Sequence, residues 1–252
     1  MDSKLRAPNS ELRTLRERDP DLTTLPLTLD EVLSQVQSST PRKVLFLGEG
    51  VGEISSYVAG WMAGKGIEVI VLDGANRFNV YTVSSFARRT LIPPEKLLRS
   101  IRIARVFTCY QMATLVGERL ISLVGAIHES PLRKRWVILL GPLTTFLDED
   151  VPEREVRPLF ERSLRKIEGI ASGGVPFLLF QSSVFSENFP SFPKGRMGGV
   201  RDSKRAYLMR RLFQFSNEAW RIDLDEEEPK MILAKGVTKL QIADRKSQIG
   251  NL

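Results

Sequence analysis

Nine consecutive residues, Gly48-Glu49-Gly50-Val51-Gly52-Glu53-Ile54-Ser55-Ser56, have the spacing of a loop that cradles phosphates. In such a loop, G-x-x-x-x-G-K-[ST], backbone N–H groups hold the phosphates. The Lys neutralises the terminal ones, and the Ser or Thr holds Mg²⁺. With Gly48 as the first glycine, the second glycine falls on Glu53, the Lys on Ile54 and the hydroxyl on Ser55. Sliding by one residue puts Gly52 on the second glycine and Glu53 on the Lys. No register supplies a cation, and Glu53 adds a negative charge where phosphate would lie. Gly48, Glu49, Gly50, Gly52, Ser55 and Ser56 therefore make up a degenerate nucleotide loop, with ATP binding doubtful and no cofactor expected. Lys43 and Arg42 stand at the wrong end of the preceding strand, about 13–17 Å away at about 3.3 Å per residue. Lys65 lies a helix length beyond the loop.

A second stretch carries anion chemistry. Lys194, Arg196, Arg201, Lys204 and Arg205, continuing to Arg210 and Arg211, contain one acid among seven cations and follow Phe185, Phe189 and Phe192. Cations take phosphates, rings stack on bases, and glycines admit the backbone, so the pattern suits single-stranded DNA or RNA. The net charge of +7 favours the same kind of partner. The cations Arg88, Arg89, Lys96, Arg99, Arg102 and Arg105 are read as a solvated surface. A single histidine, His128, and a single cysteine, Cys109, give neither an ordinary zinc site nor an internal disulfide. His128 has no third group to make a nucleophile–base pair with Ser130, and no catalytic residue or metal ligand is assigned. Glu226-Glu227-Glu228 is read as a solvated turn.

The elements that must position these residues follow from apolar patterning. Short apolar runs at 44–47, 68–72, 101–107, 136–140 and 176–180 alternate with helical stretches at 55–63, 80–89, 111–127 and 153–170. That order predicts an α/β fold with a mostly parallel central sheet covered on both faces. Segments 220–224, 231–234 and 238–242 predict antiparallel strands at the C-terminal end. Residues 1–24 read as a charged N-terminal arm and 25–252 as one core domain. With 42% hydrophobic residues the core is substantial. The chain has no apolar run of 18 residues, so no membrane partner is expected, and a cytoplasmic location follows as the simplest expectation.

The order of elements and several short segments resemble the core of RecA/RadA-type recombinases, over about residues 25–245. Leu29-Asp30-Glu31-Val32-Leu33 is similar to the L-D-x-[IL]-L segment ahead of the family's P-loop, and Gly48-Glu49 to the loop's G-E opening. Asp73-Gly74-Ala75-Asn76-Arg77-Phe78 resembles D-T-E-G-x-F. Ile103-Ala104-Arg105-Val106-Phe107 followed by Gln111 resembles I-A-R-A-[FY]…H-Q. Gly141-Pro142-Leu143-Thr144 stands where the family has D-S-[LI]-T, and Leu178-Leu179-Phe180-Gln181 resembles the strand that ends in a sensing Gln. The resemblance implies a RecA-like P-loop NTPase fold whose catalytic Glu falls on Ala75 and whose Walker B Asp falls on Gly141. With the Lys on Ile54, all three catalytic groups are absent, and phosphoryl transfer depends on such positioning and electrostatics. The family's second DNA-binding loop corresponds to the Lys194–Arg205 segment. Its first corresponds to Phe146–Glu153, which is short and acidic here. No Phe precedes Phe46, so the family's Phe-x-x-Ala filament joint has no counterpart.

What the resemblance implies is a non-catalytic recombinase paralogue in DNA repair or recombination, binding nucleic acid, a RecA-like partner or further copies of itself. A structural subunit of a RecA-like ring, similar to the ATPase-dead Elongator accessory subunits, is the second expectation. An ATPase completed by a partner's Lys or Arg is the third.

Overall fold

The computed structural model describes residues 27–38, 43–125, 134–148, 150–182, 206–224 and 229–235. The N-terminal arm, residues 238–242 and most of the basic segment, 194–205, lie outside the described residues.

Eight strands form one sheet: β1 (Leu27–Thr28), β2 (Lys43–Gly48), β3 (Glu68–Asp73), β4 (Ile101–Arg105), β5 (Arg135–Leu140), β6 (Phe177–Ser182), β7 (Glu218–Leu224) and β8 (Pro229–Lys235). Their spatial order is β1-β8-β7-β2-β6-β5-β3-β4. Every pairing from β7 through β4 is parallel, while β8 runs antiparallel to both β7 and β1. The C-terminal pair is thus antiparallel as expected. Strand β7 nevertheless joins the parallel sheet, because it pairs with β2 in register Val44↔Glu218 to Leu47↔Arg221.

Strand β2 is buried along its whole length, as a central parallel strand covered on both faces must be. Its side chains alternate between two cores. Val44 and Phe46 face α1 (Leu29–Ser38), α2 (Val51–Gly64), α3 (Val80–Arg89) and α4 (Pro94–Leu98). There the rings of Phe46 and Phe180 stack at 4.7 Å. Leu45 and Leu47 face α5 (Cys109–Thr114), α6 (Leu120–Gly125), α7 (Glu153–Ser172) and α8 (Ala206–Phe215). A π-helical turn, Leu115–Arg119, joins α5 to α6.

This division of helices creates two topological switch points. The chain leaves β2 for a helix on the first face, whereas the helix after the adjacent β6 lies on the second. The adjacent strands β3 and β5 diverge in the same way. Crevices outside the carboxyl ends of such strands are where open α/β sheets bind ligands. The strand ends concerned are Gly48, Ser182, Leu140 and Asp73.

Candidate functional site

The glycine-rich loop joins β2 to α2 at the first switch point, as its sequence context requires. Gly50 is the N-cap of α2 with φ 66°. Helix α2 starts at Val51, four residues before the expected start, so Gly52 and Glu53 belong to its first turn. Each loop glycine is matched by a neighbour. A Cβ on Gly48 would lie 2.6 Å from the Ile222 Cβ, and one on Gly50 would lie 3.5 Å from Leu224 Cδ1. A Cβ on Gly52 would lie 2.8 Å from the Arg77 carbonyl oxygen, a distance no side chain tolerates without movement. Here glycine is needed for close approach of helix and turn.

The hydroxyl groups of the loop are turned inward. Ser55 and Ser56 are fully buried, and both hydroxyls donate to the Gly52 carbonyl, at 2.9 and 2.6 Å. The Ser56 hydroxyl also accepts from the Asn79 N–H at 2.8 Å. Ile54, where the phosphate-loop spacing would place a Lys, is 7% exposed and packs in the first core. Glu49 and Glu53 are exposed. At the N-terminus of a helix they complement its dipole, and they repel phosphate there.

Across the crevice, Asp73 ends β3 fully buried. Its carboxylate accepts from the N–H groups of Arg77 (3.2 Å) and Phe78 (3.0 Å), and the Arg105 Nε stands 3.8 Å away. These contacts fold residues 74–79 into a turn that braces the first turn of α2. The end of β5 completes the arrangement. The Gly74 N–H donates to the Leu140 carbonyl at 2.8 Å, and the Gly141 N–H to the Phe180 carbonyl at 2.7 Å. Gln181 is buried, and its Oε1 accepts from the Leu143 N–H at 3.0 Å.

Gly141 has φ 65°, in the left-handed region. A Cβ there would lie 2.5 Å from Thr144 Oγ1, 2.7 Å from the Ala75 Cβ and 2.9 Å from the Ala75 nitrogen. Gly141 and Ala75, the two positions where carboxylates are expected from the resemblance, therefore lie against each other. A side chain at 141 has no room unless Thr144 or Ala75 moves, and no group of three or more His, Cys, Asp or Glu among the described residues could hold a metal.

The remaining anion-binding candidates divide. Arg211 is committed to Glu161, with Nε 2.9 Å from Oε1, whereas Arg210, one residue earlier on α8, is exposed. Lys194, Arg196, Arg201, Lys204 and Arg205 fall outside the described residues, between β6 and α8. Missed by sequence patterning are the exposed aromatics on the carboxyl edge: Tyr81 is 79% exposed and Phe107 64%. Phe107 lies beyond β4 because the strand stops at Arg105. The Phe107 N–H donates to Gln111 Oε1 (2.9 Å), and Thr108 caps α5 by accepting from the Gln111 N–H (3.2 Å). The T-x-x-Q spacing was the available signal. Nearby, the Tyr110 hydroxyl donates to Glu155 at 2.5 Å, a bond that raises its pKa above the usual 10.0.

No protein-family model matches the chain, and no curated protein matches it. No helix among the described residues is long and apolar enough to cross a membrane.

Proposed function

We propose that the chain is a catalytically silent RecA-like protein that binds single-stranded nucleic acid, in recombination or repair, with a recombinase-type protein or a second copy as its assembly partner. The contact between Gly141 and Ala75 carries the catalytic half of this reading. A site with no space for a carboxylate at 141, an alanine at 75 and a core isoleucine in place of its lysine lacks the groups that stabilise a transferring phosphoryl group. The parallel sheet with two switch points on the loop's edge supports a nucleotide-site ancestry.

Three features support the binding half. The net charge is +7. The basic, glycine- and aromatic-bearing segment connects β6 to α8, so it leaves from the carboxyl edge. The same edge presents exposed Tyr81 and Phe107 with the exposed cation Arg77, the combination of stacking face and charge that single strands need. The test is fluorescence anisotropy of labelled single-stranded DNA and RNA with the wild type and a variant carrying Glu at positions 194, 196, 201, 204 and 205. Binding is expected to be lost in the variant. Wild-type binding no stronger than that of an equally basic unrelated protein would end the proposal.

A further inference from the structure

The edge of the sheet opposite the degenerate loop holds a cluster that sequence patterning treats as a solvated surface. A crevice at the start of β3, β4 and β5 is lined by Glu68, Arg99, Ser100, Arg102, Leu123 and Arg135. Of the six cations grouped along the sequence, only Arg99 and Arg102 enter it. Arg88, Arg89 and Lys96 sit on α3 and α4, and Arg105 belongs to Asp73 at the far end of β4. Arg135, distant in sequence, joins the two.

Among the described residues, the charges in this crevice do not balance. Glu68 is its one acid among the described residues, and it is engaged by Arg135, whose Nε lies 2.5 Å from Glu68 Oε2. The Arg135 Nη1 also donates to the Val124 carbonyl at 3.5 Å, so this guanidinium is held from both sides. Arg99 and Arg102 are exposed, and neither forms an ion pair among the described residues. Lys134, whose carbonyl accepts from the Glu68 N–H at 3.1 Å, adds a further exposed cation beside it. The backbone beneath is fixed: the Val69 N–H donates to the Ser100 carbonyl at 2.9 Å, and Arg99 ends α4 with its N–H on the Glu95 carbonyl at 3.0 Å.

From this geometry we infer that the crevice is a phosphate-binding site, with Arg99 and Arg102 as the free forks and the Arg135–Glu68 pair as its rigid floor. Guanidinium groups present two parallel N–H donors to a phosphate, and that geometry distinguishes them from lysines. Like charges gathered at one crevice repel, and a bound anion removes the repulsion. The ligand is any group with a phosphate at its surface, whether a small phosphorylated molecule or a nucleic-acid backbone. The site lies on the opposite edge of the sheet from Ser182, where β6 ends, so it does not rest on the function proposed above.

The experiment uses the full chain and two probes, inorganic phosphate and a single-stranded oligonucleotide. Thermal unfolding is followed in phosphate and in chloride at equal ionic strength, for the wild type and for the Arg99→Gln/Arg102→Gln variant. Oligonucleotide affinity is measured for both proteins by anisotropy. Phosphate is expected to raise the wild-type Tm above its value in chloride, and the variant to need about tenfold more phosphate for the same rise. A severalfold loss of oligonucleotide affinity in the variant identifies a nucleic-acid backbone as the ligand. Unchanged oligonucleotide affinity with a lost phosphate response identifies a small phosphorylated molecule. The Arg102→Lys variant keeps the charge and gives the same reading through a partial loss, should the double variant not fold. Equal responses of wild type and variants to both probes overturn the inference.

Discussion

Placing a side chain on Gly141 tests whether the site is closed sterically or merely lacks its acids. An L-residue at φ 65° costs about 1–2 kcal/mol. The new Cβ would also sit 2.5 Å from Thr144 Oγ1 and 2.7 Å from the Ala75 Cβ. Relieving such overpacking in a buried position costs about 1–3 kcal/mol. Gly141→Ala is therefore expected to destabilise the fold by about 2–5 kcal/mol. For a chain of this size about 2–4 °C is lost per kcal/mol, which gives a fall in Tm of roughly 4–20 °C. Gly141→Asp, which places the acid expected from the resemblance at this position, should cost at least as much, because a buried carboxylate adds its desolvation. Urea denaturation followed by circular dichroism measures both, with the midpoint falling and the slope unchanged. An alanine variant as stable as the wild type, or an aspartate variant that gains Mg²⁺–ATP binding, would refute the closed-site reasoning.

Leu91 is 93% exposed in a left-handed conformation, φ 56°, so Leu91→Gly loses no packing. It should raise stability by about 0.5–1 kcal/mol after the added flexibility of the unfolded chain is subtracted, measured by denaturant midpoint. The Lys235 ammonium donates to the carbonyls of Phe213 (2.8 Å), Gln214 (3.0 Å) and Ser216 at the end of α8, tying β8 to that helix. Lys235→Met should cost about 1–2 kcal/mol and increase hydrogen exchange in the last turn of α8. The Thr28 N–H and hydroxyl both donate to Glu31 Oε2, at 2.7 and 2.9 Å, and these bonds hold the Glu31 carboxyl below its usual 4.5. A carboxyl lowered on folding contributes stability present above pH 4.5 and lost as pH falls through the folded-state value. The Tm difference between wild type and Glu31→Gln should thus be constant above pH 4.5 and shrink below it.

Much of the fold was legible because central parallel strands write continuous apolar runs. The runs at 44–47, 68–72 and 136–140 became β2, β3 and β5 to within a residue or so at each end. Helix α3 spans the expected 80–89, where arginines close its last turn. Other features left no local signal. Helix α2 begins inside a glycine-rich stretch of poor helix propensity, and Gly52 is retained there because the Arg77 backbone crowds it. Strand β7 has a strand's pattern, but pattern does not name a partner, and its pairing with β2 brings it into the parallel sheet. The two-residue β1 is too short to show a period, and the π turn at 115–119 reads as ordinary helix. Within the site, the sequence shows that Ile54, Ala75 and Gly141 carry neither a cation nor a carboxylate. It does not show that Ala75 and Gly141 touch, or that Ser55 and Ser56 face their own helix, because those facts belong to strand order and helix phase.

The most direct measurement is the salt dependence of single-stranded DNA binding, made on the same protein sample as an assay of Mg²⁺–ATP hydrolysis. Five phosphate contacts, from Lys194, Arg196, Arg201, Lys204 and Arg205, give a slope of log K against log salt of about −3.5. The expected result is a slope near that value with no ATP turnover. A flat slope, or turnover that is lost on Ser55→Ala, would contradict a silent nucleic-acid-binding protein.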